Sequence, residues 1–191
     1  YSRPYHEKRP VVCMDEKPFQ LLDECIEPIP MSKNNHIEKY DCEYERKGSC
    51  SIFMFTEPLA GWREAHALPR RTAIDWASQI KWLIDEAYPQ AEKIVLVMDN
   101  LNTHTIASLY KAFPPSEAYR LAQKLEIHYT PKHGSWLDIA EIELSALTIQ
   151  CLIGERIPSI DKLNNILSSW SLKRNFSQKG VIAKQKALNA K

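Results

Sequence analysis

The 191-residue sequence predicts an α/β fold, a mixed sheet flanked by helices, and three observations carry that expectation. Two short apolar runs, "PVVCMDE" (10–16) and "IVLVMDN" (94–100), are rich in β-branched residues and read as strands buried on both faces. One stretch, "TAIDWASQIKWLIDEAYP" (72–89), repeats its apolar residues at helical spacing. The predicted order is strand, irregular segment, two or three antiparallel strands, then helix, strand, helix, strand, helix, which calls for helices packed on a mixed sheet.

Taken in order, "YSRPYHEKRP" is polar and proline-containing, and residues 1–9 read as a linker remnant. The strand at 10–16 ends in Asp15. From Gln20 to Asp41 the prolines predict an irregular segment, with "EPIPMSKNNH" its clearest loop. "YERKGSCSIFMFTEPLAGWREAHAL" (44–68) predicts a hairpin or meander that turns at Lys47-Gly48 and at Leu59-Ala60-Gly61. In the helix at 72–89, Ala73, Trp76, Ala77, Ile80, Leu83, Ile84 and Ala87 share one face. Thr72 with Asp75 resembles a capping box, with Asp in place of the usual Glu, and Pro89 stops the helix. A helical region at 103–124 is broken at "FPPSEAY". "LEIHYTP" (125–131) is a short strand, "SWLDIAEIELSALTIQCLI" (135–153) an apolar helix, and "SIDKLNNILSSWSLKRN" (159–175) a last helix from a serine cap.

Composition is that of an ordinary soluble domain, with 44% hydrophobic and 26% charged residues. No apolar run reaches the length of a membrane span. Five scattered cysteines without a Cys-x-x-Cys pair argue against a zinc site and for a reducing, cytoplasmic setting. The net charge of +1 is no footprint for nucleic acid, but residues 173–191 hold six Lys/Arg and no acid. For a chain terminus, a solvated tail is the plainer reading of that run.

The chemistry-bearing residues are three acids. Asp15 ends the first strand, Asp99 ends a later one, and Glu141 lies in the first turns of an apolar helix. Ligands of open α/β sheets gather at the carboxyl ends of strands. If the two strands are neighbours, two carboxylates lie side by side and a glutamate facing in from a helix completes the set. Oxygen donors of this kind suit Mg²⁺, and paired ions clamp the oxygens exchanged in phosphodiester displacement. Each residue has a plainer reading too: Asp15 as a turn residue, Asp99 as a cap, and either Glu141 or Glu143 as a solvated helix residue.

The blocks "VVCMDEKPFQLL", "VLVMDNLNTHT" and "HYTPKHGSWLDIAEIELSAL" resemble the three catalytic blocks of mariner-like DDE transposases of the bacterial insertion-sequence branch. The likeness runs from about residue 10 to residue 155. It implies a ribonuclease H-like DDE catalytic domain, placed at 10–175, with an atypical basic tail at 176–191. It implies Asp15, Asp99 and Glu141 as catalytic and metal-binding residues, with two Mg²⁺ or Mn²⁺ ions. Glu141 is preferred over Glu143 because Leu137 precedes it by four positions, as in the family block. Residues 141 and 143 lie about 200° apart on a helix, so both cannot face one ion pair.

Asn100, Asn102 and His104 are expected to organise the site or contact DNA, and Asn102-Thr103 as a helix cap is an equal alternative. Lys132 and His133 are expected phosphate contacts, with an ordinary surface loop as the alternative. Trp136 reads as core. The implied function is metal-dependent cleavage and strand transfer at insertion-element ends. DNA is the partner, with a homodimer in the transposition complex and a cytoplasmic, nucleoid-associated location. The family's helix-turn-helix region is not in this sequence, Asp138 stands where the block more often has asparagine, and the tail departs from the family pattern. A catalytically inactive remnant with at most weak, non-specific DNA binding is therefore the second reading. A metal phosphatase or ribonuclease is a third, but it leaves the "HYTPKHGSWL" block unexplained.

Overall fold

The structure, a computed structural model, describes residues 4–25, 43–131 and 139–177. Five strands form one mixed sheet: β1 (Val11–Glu24), β2 (Tyr44–Glu57), β3 (Trp62–Leu68), β4 (Ile94–Met98) and β5 (Leu125–Tyr129). Their order across the sheet is β3-β2-β1-β4-β5. β1 pairs antiparallel with β2 and parallel with β4, and β4 pairs parallel with β5. The helices are α1 (Ala73–Trp82), α2 (Ile106–Ala112), α3 (Pro115–Gln123), α4 (Ile139–Leu147) and α5 (Ile160–Ser177). α1 and α4 each run on into a π-helical turn, at Leu83–Ala87 and Thr148–Leu152.

Strand alternation sorts the core into two layers. Val12, Met14, Phe53, Phe55, Leu96 and Met98 face α1, α2 and α3, meeting Trp76, Ile80, Leu109 and Leu121. Cys13, Ile52, Met54, Ala65 and Ala67 face α4 and α5, meeting Ala140, Leu144, Leu163, Leu167 and Trp170. The expected face of α1 is the buried one, and Thr72 with Asp75 forms the full capping box.

Two expectations are corrected. β1 does not stop near Asp15 but continues to Glu24, paired with β2 as far as Glu24↔Tyr44. Its pairing with β4 ends at Cys13↔Val97, so Pro18 lies where only β2 is a partner, and proline is tolerated at such an edge. Lys47-Gly48 is no turn. It lies inside β2 at a bulge, where Leu21 pairs with Gly48 and Leu22 with Arg46, and Gly48 takes the positive φ (109°) that a side chain resists. The turn at Leu59-Ala60-Gly61 does form, closed by the Gly61 N–H donating to Glu57 O at 2.9 Å.

β3 is an edge strand, and α5 covers it. The Asn175 side chain accepts from the Arg63 N–H at 2.9 Å and donates to the Arg63 carbonyl at 2.8 Å. Asn164 does the same for Ala67, at 2.7 and 3.1 Å. Two asparagines thus satisfy backbone groups that would otherwise invite another strand. The "EPIPMSKNNH" loop, Cys42 and residues 132–138 lie outside the described residues.

Candidate active site

The parallel register of β1 and β4 builds the site. Val11, Val12 and Cys13 lie opposite Val95, Leu96 and Val97, and two further residues set Asp15 level with Asp99. Alternation gives Asp15 the same side of the sheet as Cys13, the side on which α4 packs. Glu141 is in the first turn of α4 and exposed. The three acids expected from sequence therefore gather about one end of the β1/β4 pair.

Their electrostatics agree. Burial pushes the Asp15 carboxyl up to about 6, and the charges of Asp99, Glu141 and Glu16 push the same way. The Glu16 N–H, donating to Asp15 Oδ1 at 2.8 Å, offsets only part of this. A carboxylate raised by burial and like charge is one that a dication would relieve. The donors, all carboxylate oxygens, are those a hard divalent ion takes. Among the described residues no three His, Cys, Asp or Glu side chains stand close enough together to hold an ion. The acids are neighbours without closing into a ligand set, which is the arrangement that repulsion among uncompensated carboxylates favours.

Asn100 and Asn102 are exposed on the loop that leaves Asp99. The alternative of Asn102-Thr103 as a helix cap does not hold, because α2 begins at Ile106 with Thr105 in the N-cap position. Lys132, His133, Trp136 and Asp138 fall outside the described residues.

His104 requires a correction. Its side chain is fully buried, so a DNA contact is closed to it and the organising role remains. Nδ1 lies 2.6 Å from Asp99 Oδ1, Nε2 lies 3.0 Å from Glu16 Oε1, and the ring stacks on Trp76 at 5.9 Å. Burial lowers its pKa, but Asp99 and Glu16 outweigh burial and hold it up at about 9. Sequence reasoning missed Glu16. The available signal was alternation: with Asp15 on one face of β1, Glu16 faces the opposite core layer, where an acid needs a partner.

Glu143 was one of two candidates for a solvated residue. It is instead buried, with Oε2 3.2 Å from Arg63 Nε and 3.2 Å from Arg174 Nη2. It turns from the aspartates toward β3 and α5. Lys17, on the Asp15 face of β1, donates to Thr148 Oγ1 at 2.7 Å and braces the segment that follows α4.

Comparison with known proteins places this geometry. No curated protein sequence matches. Among solved structures, the Mos1 mariner paired-end complex with Mn is similar over 88% of this chain and 49% of that one, at 14% identity and a TM-score of 0.55. The Mos1 strand transfer complex is similar over 86% and 48%, at 13% identity and a TM-score of 0.56. The intasome of simian T-cell lymphotropic virus, in complex with a PP2A regulatory subunit, is similar over 85% and 49%, at 12% identity and a TM-score of 0.51. The chain spans about half the length of these three structures, and at such identities the likeness is one of fold. That fold is the ribonuclease H-like one expected from the resemblance. By sequence, the family described as DDE superfamily endonuclease matches residues 10–164, a span that holds Asp15, Asp99 and Glu141, and the chain therefore belongs to that family.

Proposed function

We propose that this chain is the catalytic domain of a mariner-like DNA transposase, cleaving and joining DNA at the ends of an insertion element. The observation that carries the reading is the β1/β4 register, which brings Asp15 and Asp99 to the same end of the strand pair, with Asp99 and Glu141 both near enough to raise the Asp15 carboxyl. Asp15 and Asp99 would hold divalent cations, Mg²⁺ or Mn²⁺ and two in number, and Glu141 would complete the set. When bound, such ions neutralise charge at the phosphodiester and favour an oxygen nucleophile.

The chain's own residues do the rest by positioning. β1 and β4 are rigid mounts inside the sheet, so the two aspartates keep their spacing as DNA arrives. Asn100 and Asn102, exposed beside Asp99, and Lys132 and His133, just before α4, would hold the DNA backbone. The attacking oxygen is water in cleavage and a freed 3′-hydroxyl in strand transfer; in each case the displaced 3′-oxygen leaves as the new P–O bond forms. Pairing of two copies on paired element ends belongs to the same proposal. Among the described residues no helix is long and apolar enough to cross a membrane.

The test is a nicking assay on supercoiled and element-end DNA with Mg²⁺ or Mn²⁺, using Asp99→Ala as control. Nicking that requires the cation and is lost in Asp99→Ala supports the proposal. Nicking that persists in EDTA or in Asp99→Ala overturns the site. A cation-bound but inactive wild type supports the second reading, an inactive remnant.

A further inference from the structure

We propose that Glu16 and His104 form a buried positioning pair that selects which oxygen of Asp99 faces the site, and so sets the site's affinity for a divalent cation. The inference rests on the metal-site reading given above. The consecutive acids of "MDEK" are divided by the strand: Asp15 goes to the α4 side, and Glu16 passes through the sheet to meet His104 in the opposite layer. Glu16 is only 2% exposed at its side chain and His104 is 0% exposed, so neither is a surface group that happens to lie nearby. Burying an acid at the strand where the site is built is costly unless it holds something.

What it holds is the imidazole edge. Nε2 meets Glu16 at 3.0 Å, which leaves Nδ1 facing Asp99 Oδ1 at 2.6 Å. Asp99 Oδ1 is sealed from solvent, while the Asp99 side chain as a whole is 40% exposed. That contact is an ion pair and not an aligned hydrogen bond, since the Nδ1 hydrogen bond falls on the Asp99 carbonyl oxygen at 3.4 Å; charge holds Oδ1 on the His104 side, and Oδ2 is the one turned outward.

Three further contacts fix His104, one on its ring and two on its backbone. Trp76 stacks against it with planes 27° apart, and its backbone carbonyl accepts from the Tyr129 hydroxyl at 2.8 Å. Its N–H donates to Leu101 O at 3.0 Å, closing the turn after Asp99. β1, β4, β5 and α1 thus all bear on the direction of a single carboxylate. Outer partners of this kind commonly change metal affinity by about 10–100-fold when removed.

The experiment is Mn²⁺ binding to the full chain, read from the paramagnetic resonance of free Mn²⁺, with folded fraction checked by circular dichroism. His104→Asn keeps a donor near the Nδ1 position that serves Asp99, whereas His104→Gln reaches instead toward Glu16. The expected result is Mn²⁺ binding within about threefold of wild type for His104→Asn and at least about tenfold weaker for His104→Gln, at equal folded fraction. Glu16→Gln, which keeps an acceptor for Nε2, should fall between them. Folded Asn and Gln variants that both bind as wild type does would overturn the proposal, as would losses that follow thermal stability and not the atom offered to Asp99. Asp99→Asn separates the two levels. If it binds Mn²⁺ normally the metal-site reading fails; if it loses Mn²⁺ while His104→Gln does not, only the positioning pair fails.

Discussion

Asp15 shows how a site residue works against the fold that carries it. Its carboxyl is raised to about 6, burial first and the neighbouring acids next, so the folded chain binds a proton there more tightly than the unfolded chain. Stability therefore falls as pH climbs from about 4, the ordinary aspartate value, through about 6, and at neutral pH the ionised group costs the metal-free fold. Asp15→Asn removes the charge and keeps the oxygen that accepts from the Glu16 N–H. In EDTA at pH 7 it should stabilise the chain by about 1–2 kcal/mol, with the gain gone at pH 3.5. Urea midpoints at the two pH values check this, and a variant no more stable than wild type at pH 7 would show that Asp15 is not strained there. The same variant should lose Mn²⁺ binding, so stability and function would move in opposite directions.

At the scale of elements, α4 carries two glutamates with opposite duties. Glu141 faces out toward the aspartates' end of the sheet, and Glu143 is sealed between Arg63 of β3 and Arg174 of α5. Glu143→Ala leaves a fully buried arginine without its partner and should cost about 3–5 kcal/mol. Glu141→Ala is a surface change and should stay within about 0.5 kcal/mol while abolishing cation-dependent nicking. Denaturant unfolding together with the nicking assay reads both effects; a severe stability loss in Glu141→Ala would reverse the assignment.

These elements also show what sequence could and could not say. β4 and α1 were legible because apolar runs and helical periodicity are local signals, whereas the adjacency of β1 and β4, which brings Asp15 near Asp99, was a condition that local signals left open. The length of β1 was not, since Pro18 and the polar residues after it mimic a loop and only the partner strand β2 keeps them extended. Nor were the partners of Glu16, Arg63 and Glu143. Their charges are satisfied by residues 88, 80 and 31 positions away, a relation that no window of sequence contains.

For the whole molecule, net charge near zero and a basic C-terminal end together bear on DNA affinity. α5 runs to Ser177, and within it Arg174 pairs with Glu143 while Asn175 binds the Arg63 backbone. Those two residues belong to the clamp on β3, not to a tail. A truncation at residue 173 would confuse lost charge with lost structure, so the informative cut follows Gln178. It removes Lys179, Lys184, Lys186 and Lys191 and leaves the clamp and all three acids in place. Duplex binding by the full chain should be weak, little affected by sequence and steeply dependent on salt, because it draws on phosphate contacts that release counterions. If all four lysines reach phosphates, the truncated chain should lose about 3–4 from the slope of log K against log salt, and proportionally less if fewer do. Mn²⁺ affinity should be unchanged, since no acid lies in the removed segment. The measurement is affinity for element-end and scrambled duplexes across a salt series with both chains. An unchanged slope would place the phosphate contacts on the carboxylate face alone, and tight binding of element ends over scrambled duplex at physiological salt would mean that this domain itself reads sequence.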